Sequence, residues 1–417
     1  MSKTQVAASG SVSDLQPDAF GPPRGIGGSL RAFFSRIRSG DLGSLPVIIG
    51  LVIIWTVFQV LSPNFLSANN LVNLALQCAA GGIIAIGVVL VLLLGQIDLS
   101  VGSISGLSAA ILAIGLTKLG WSLPVAILIA LAAGAVVGLF YAFLFVRFGI
   151  PSFIITLAGL LGFLGLQLAV LGPTGSVNIP PDSPIIAFTQ LWFLPPVTSY
   201  VLAALVVAAY LFVHLRAARR RALAGLSSAS LGESVLRAAA LLVLLVAVVY
   251  ALNNDRGVPA SFLLFIALVV VMNYALTRTK WGRSVFAVGG SVDAARRSGI
   301  RVTRVYVTVF VLCSLFAALG GLLAAGRVTT ASTSTGAGDV PLNAIAAAVI
   351  GGTSLFGGRG SAYSALLGIV VLQSISSGLT LLSLDSPVRY MITGAVLLLA
   401  VIIDSLSRRS RASHGRA

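Results

Sequence analysis

The sequence predicts an all-α membrane protein with about 10–12 crossings, and three observations carry that prediction. Of its 417 residues, 57% are hydrophobic and only 9% charged, with a mean hydropathy of +1.04. A water-soluble fold needs far more charged surface to cover its core. The apolar residues also come in runs of roughly 20, the length at which a helix spans a bilayer. Finally, the Lys and Arg residues behind the net charge of +16 sit in short clusters between those runs. Clusters so placed mark cytoplasmic loops facing anionic headgroups, and they exclude nucleic acid as the reason for the charge.

Residues 1–44 are rich in Ser, Gly, Pro and Arg, with no apolar stretch before Leu45. They are expected to form a flexible, basic cytoplasmic tail without a cleavable signal peptide. The transmembrane domain is expected over 45–404, with runs at 46–61, 71–94, 99–116, 123–146, 150–171 and 200–215. Further runs follow at 235–252, 260–276, 305–325, 344–356, 363–384 and 388–403. The tenth is too short to cross straight through. Residues 405–417 form a basic cytoplasmic tail.

Charge supports this count independently. With both termini inside and every run crossing, all of the 27 Lys and Arg lie inside except Lys118, Arg256, Arg327 and Arg389. The longest outer loop, 172–199, carries Pro173, Pro180, Pro181, Pro184, Pro195 and Pro196, no Lys or Arg, and the single acid Asp182. It reads as an ordered, proline-stiffened external cap. Small residues recur inside the runs, at 79–82, in Gly134-Ala135-x-x-Gly138 and at 320–326. They let helices approach backbone to backbone, where lipid gives no hydrophobic drive.

Two places break the helical pattern more severely. GQIDLSVGS at 95–103 sets Gln96 and Asp98 inside an apolar stretch, and GGTSLFGGRGS at 351–361 follows the half-length run. Both end in Gly-Ser and return to an Ala- and Leu-rich helix, which suggests a weak internal duplication. Broken helices in corresponding places point to a translocation pathway, for which Gln96, Asp98, Ser100, Ser103, Asn343, Thr353 and Ser354 are the candidates. A pair of cytoplasmic hairpin turns explains the pattern equally well.

The organising element is the basic segment TRTKWGRSVFAVGGSVDAARRSGIRVTR at 277–304, with seven Lys or Arg against one acid, Asp293. The positive-inside rule places it in the cytoplasm. Val292 to Ser298 is expected to form two helical turns, with Gly289 and Gly290 before and Gly299 after as start and stop signals. Gly289 and Gly299 are expected to be hinges with φ > 0. Ala294 and Ala295 are small enough for a groove on a partner, with Asp293, Arg296 and Arg297 at its rim.

Some chemistry is missing. The histidines, His214 and His414, both lie beside Arg clusters and make neither a metal site nor a general base. The chain has no GxxxxGK[ST] loop, so it carries no Walker A nucleotide site. Beyond Asp98 and Asp404 the runs hold almost no ionisable groups, which argues against an ion-driven pump. No metal or cofactor is expected. An integral membrane enzyme would need catalytic pairs that are absent here.

GQIDLSVGS at 95–103, WGRSVFAVGGSVDAARRSGIRV at 281–302 and NAIAAAVIGGTSLFGGRGSAYSALLGI at 343–369 resemble, in order and spacing, the permease subunits of bacterial ABC importers for monosaccharides. The resemblance covers most of 51–404. It implies a permease in the bacterial inner membrane, paired as a homodimer, with cytoplasmic ABC ATPase subunits and an extracytoplasmic sugar-binding protein. The loop over Gly289, Gly290, Asp293, Ala294, Ala295, Arg296 and Gly299 is then the one that contacts the ATPase. The family more often has Gly at 96, Asn at 291 and Glu at 293, where this chain has Gln, Ser and Asp. The proline-rich loop, an expected basic turn at 216–221 and the segment at 253–259 look more like the xylose branch than the ribose branch. The alternative is an ion-coupled secondary transporter of a small polar solute, for which Asp98 is the one intramembrane support.

Overall fold

The computed structural model describes residues 45–224, 231–385 and scattered positions from 387 to 402. Both expected tails lie outside the described residues, and of the twelfth run, 388–403, only scattered positions are described. The other eleven runs are all helices, and two further helices fall in the basic segment at 277–304. They are α1 (Leu45–Leu61), α2 (Ala68–Leu93), α3 (Val101–Thr117), α4 (Leu123–Phe148), α5 (Ser152–Leu171), α6 (Pro196–Leu223) and α7 (Leu231–Asn253). The series continues with α8 (Ala260–Arg278), α9 (Lys280–Gly290), α10 (Val292–Arg297), α11 (Val302–Val328), α12 (Val340–Ile350) and α13 (Ala362–Leu381). Eight of the described helices are long and apolar enough to cross a bilayer, while α1, α3 and α12 are shorter. The chain is a multi-pass, all-α membrane protein.

Residues 200–248, most of α6 and α7, form one compact unit, and residues 45–199 with those from 249 onward form a second. Within the first unit, Glu233 pairs with Arg237 one turn on, and the Arg216 guanidinium stacks 4.3 Å from the Phe212 ring. The cluster at 216–221, expected as a turn, is the helical end of α6. Nothing in its sequence stops a helix there, since Ala and Arg both propagate one.

In the second unit α2 is central. In its most apolar stretch 83% of residues are buried, against 17% in α6 and α7. Glycines explain how the other helices reach it and each other. Gly87 of α2 lies against the backbone at Cys313 of α11, and Gly138 of α4 against Phe310 and Val311. Gly321 of α11 faces the Ser105 carbonyl of α3, and Gly368 of α13 the Ala347 carbonyl of α12. A Cβ at any of these would overlap a neighbouring backbone, so the close approach that the small-residue pattern predicts is realised. The apolar side chains left over, such as Leu128, Val136 and Phe140 of α4 and Phe153 and Leu161 of α5, are exposed as a lipid-facing surface would be.

The segment after α5 is ordered, as its prolines predict. Strand β1 (Ser176–Asn178) pairs antiparallel with β4 (Thr330–Ser332), in the register Val177 to Ala331. A helical turn at Pro184–Ile186 runs into a π-helical turn at Ala187–Leu191. The short strands β2 (Phe193–Leu194) and β3 (Val258–Pro259) then pair. The Gln190 amide caps the end of α11 by donating to the Gly326 and Arg327 carbonyls.

Candidate functional site

The first interruption is a climb through the protein interior. The chain leaves α2 at Leu93, turns at Gly95 with φ of +69°, and runs irregularly to Val101. Backbone N–H groups along such a stretch must find partners away from water. Helix α5 supplies them through two hydroxyls one turn apart: Ser152 Oγ accepts from Ile97 N at 3.3 Å and Thr156 Oγ1 from Leu99 N at 3.2 Å. Those serve as the break's second strand, and the sequence reading missed them. Their signal was a Ser-x-x-x-Thr spacing at the start of a mostly apolar helix, which puts both hydroxyls on one face.

Asp98 is 1% exposed and completes the set. Its Oδ1 accepts from the Ser100 N–H at 2.9 Å and the Ser100 hydroxyl at 2.6 Å, and its Oδ2 lies 3.6 Å from Cys313 Sγ. The Leu99 N–H, turned to Thr156, is not among its donors. Nor is Asp98 at the end of the helical body. Cys313 lies about 17 Å into α11 from Val302, at 1.5 Å per residue. Ser103, also buried, donates to the Ser100 carbonyl at 3.0 Å, while half-buried Gln96 lies outside this network with its amide 3.5 Å from the Leu94 carbonyl.

A second irregular stretch lies where the sequence reading did not place it. After β4, residues 333–339 reach down beside α3 before α12 starts at Val340. Gly336 sits against Gly102 and Ser105, about 22 Å along α3 from Thr117. Gln167 of α5, fully buried, holds this stretch by donating to the Ser332 and Thr335 carbonyls at 2.8 and 3.0 Å. The second stretch therefore touches the first turn of α3 at Gly102, just beyond the end of the first interruption. The polar run STSTGAGD at 332–339 was the available signal.

The turn at 351–361 lies elsewhere. Thr353 and Ser354 are buried in it, with Ser354 N donating to the Arg359 carbonyl at 3.0 Å, and Phe356 and Arg359 are exposed. Its Gly358 N–H donates to the Leu93 carbonyl at 2.9 Å, so it packs on the end of α2. Asn343 is near the opposite end of α12, with its side chain donating to Asp339 at 2.8 Å. The seven pathway candidates are thus separated into an Asp98–Ser100–Ser103 group, a Thr353–Ser354 group, and Gln96 and Asn343 apart. Ser361 does cap α13, whereas Gly102-Ser103 lies within α3, so the two Gly-Ser pairs are not structurally equivalent.

The basic segment forms two helices rather than one. Thr279 caps α9, and Ser291 caps α10 by accepting from Ala294 N at 3.3 Å. Gly289 and Gly290 end α9 instead of opening α10. The sequence reading missed α9, whose signal was the buried face Gly282, Val285 and Val288 at three-residue spacing. Gly299 has φ of +78° as expected, but Gly289 is helical and is required for another reason: a Cβ there would overlap the Leu93 carbonyl oxygen. In α10, Ala295 is 2% exposed and turned into the body, while Asp293, Ala294, Arg296 and Arg297 face outward. Asp293, Arg296 and Arg297 line a shallow cleft. Among the described residues no cluster of His, Cys, Asp or Glu could hold a metal ion.

A multi-pass helical body with two interrupted segments, and a short polar helix seated against it through Ala295, is the architecture of a membrane permease component. The chain belongs to the family described as branched-chain amino acid transport system / permease component, whose model matches residues 70–401. It is similar to the xylose transport system permease protein XylH of Escherichia coli (strain K12), with 36% identity covering 90% of this chain and 95% of the relative. The protein of the same name from Haemophilus influenzae is 32% identical over 90% of this chain and 99% of its own length. The ribose import permease protein RbsC of Bacillus subtilis (strain 168) is 30% identical over 88% and 94%. No solved structure matches the chain significantly.

Proposed function

We propose that this chain is the permease of an ATP-driven importer of a monosaccharide of the xylose type, in the bacterial inner membrane. In this reading it works as a pair of copies with cytoplasmic ABC ATPase subunits and an extracytoplasmic sugar-binding protein. The observation that carries the partner assignment is α10. It is rooted in the body by Ala295 and presents Ala294 with Asp293, Arg296 and Arg297 around it. A small residue ringed by charges admits a groove closely while the rim sets orientation. The functions for which these relatives are named, xylose transport and ribose import, agree with a sugar as cargo. Both termini and 277–304 then face the cytoplasm and 172–199 the outside, as the charge distribution requires. The sugar passes between the two copies as ATP binding draws the ATPases together and moves their docked helices.

The test is reconstitution of the permease in liposomes with its ATPase and binding protein. ATP-dependent uptake of labelled xylose, exceeding that of ribose, is the expected result. Uptake driven by an imposed proton or sodium gradient with no ATPase present would replace this reading with that of an ion-coupled transporter.

A further inference from the structure

Three stretches of backbone meet at one point with almost no side chain between them. The carbonyl of Leu93, the last residue of α2, has no partner within its own helix because α2 ends there, and Gly358 donates its N–H to it at 2.9 Å. Gly289 of α9 lies on the same carbonyl. A Cβ at Gly289 would overlap the Leu93 oxygen and stand 2.8 Å from Gly358 N. A Cβ at Gly357 would stand 2.7 Å from the Gly289 oxygen and 2.8 Å from Gly95 N. Gly357 and Gly358 both have positive φ, +84° and +72°, a backbone that lets the turn present the Gly358 N–H to α2. Gly290, one residue from Gly289, would meet nothing within 4 Å.

We infer that this junction is where displacement of α9 and α10 enters the transmembrane body, with Gly289 as the positioning residue. The inference rests on the reading that α10 receives the ATPase. Gly289 touches both the end of α2, where the first interrupted segment begins, and the turn that joins α12 to α13. A shift of α9 therefore acts on the start of the first interrupted segment and on the 351–361 turn together. Contacts between backbones have no rotamers to take up a displacement, so close-packed contacts of this kind transmit strain rather than absorb it. The exposed side of α9–α10 receives the force and the Gly289 side delivers it.

The experiment uses the full complex and compares Gly289→Ala with Gly162→Ala, a glycine of α5 with open space around it. Three quantities are read: co-purification of the ATPase, its hydrolysis rate with and without sugar-loaded binding protein, and sugar uptake. For Gly289→Ala the ATPase stays bound and hydrolyses ATP, but the stimulation is lost and uptake falls roughly tenfold, the size of a typical coupling between sites. Gly162→Ala behaves as wild type. A milder wedge, Gly358→Asn, keeps a residue that tolerates positive φ and adds a Cβ 3.1 Å from Gly290 Cα, so it gives the same pattern with less risk to folding. Normal coupled uptake in Gly289→Ala overturns the inference. So does loss of insertion or assembly in both wedge variants, which would make the junction a packing feature only. Failure of the wild-type permease to co-purify with any ATPase would instead refute the proposed function.

Discussion

The Cys313 thiol of α11 lies 3.6 Å from Oδ2 of Asp98, in the irregular chain between α2 and α3. Together with two bonds from Ser100, that contact fixes a fully buried carboxyl for which no Lys or Arg among the described residues forms an ion pair. Asp98 is thus held as an acceptor for an irregular backbone rather than as half of a charge pair.

Asp98→Asn keeps an acceptor oxygen for Ser100, whereas Asp98→Leu leaves the buried Ser100 N–H unpaired, at about 1–3 kcal/mol. The leucine variant should unfold at a clearly lower temperature in detergent and transport poorly, with the asparagine variant close to wild type. Equal behaviour of the two in a thermal-unfolding and uptake assay would contradict this role.

Ala294 and Ala295 separate docking from folding. Ala294→Trp adds bulk to an exposed position and should abolish co-purification of the ATPase while leaving permease stability unchanged. Ala295→Trp forces a ring into a site that is 2% exposed, and such overpacking costs about 1–3 kcal/mol or more, so the permease itself should lose stability. Detergent size-exclusion profiles alongside pull-downs distinguish the two outcomes.

Topology is checked by single cysteines in a Cys78→Ala, Cys313→Ser background. Ser183 is buried, so exposed Asp182 is the better outer reporter, with exposed Arg283 as the inner one. An impermeant maleimide should label Asp182→Cys in intact spheroplasts and Arg283→Cys only after permeabilisation. The opposite pattern would invert the proposed orientation.

Gly321→Ala should lower the melting temperature markedly, because its Cβ would overlap the Ser105 carbonyl and push α11 off α3. Gly165→Ala in α5, with open space around it, should be neutral or slightly stabilising, since alanine favours a helix interior by up to about 1 kcal/mol. Circular dichroism melts of the two purified variants in one detergent make the comparison.

Hydropathy runs, charge clusters and small-residue spacing determined the membrane class and eleven of the helices, the short tenth run among them. Each of these depends on residues near one another in the chain, and the bilayer imposes a fixed length and a charge asymmetry on them. The motif residues were also legible as special: Asp98 is a buried acid, Gly299 has its positive φ, and α10 forms where the Ala- and Arg-rich turn is. What those residues do was decided by tertiary structure. That Thr156 takes the Leu99 N–H, that Gly336 meets Gly102, and that Gly289 rests on Leu93 all join positions 57 to 234 residues apart. The direction Ala295 faces could not be read either, because in a two-turn helix with alanines side by side only the body it packs against tells inside from outside. Local pattern sets which segments are helical in lipid, whereas the partners of an irregular segment's N–H and C=O groups depend on which distant helix brings a hydroxyl, an amide or a bare glycine to them.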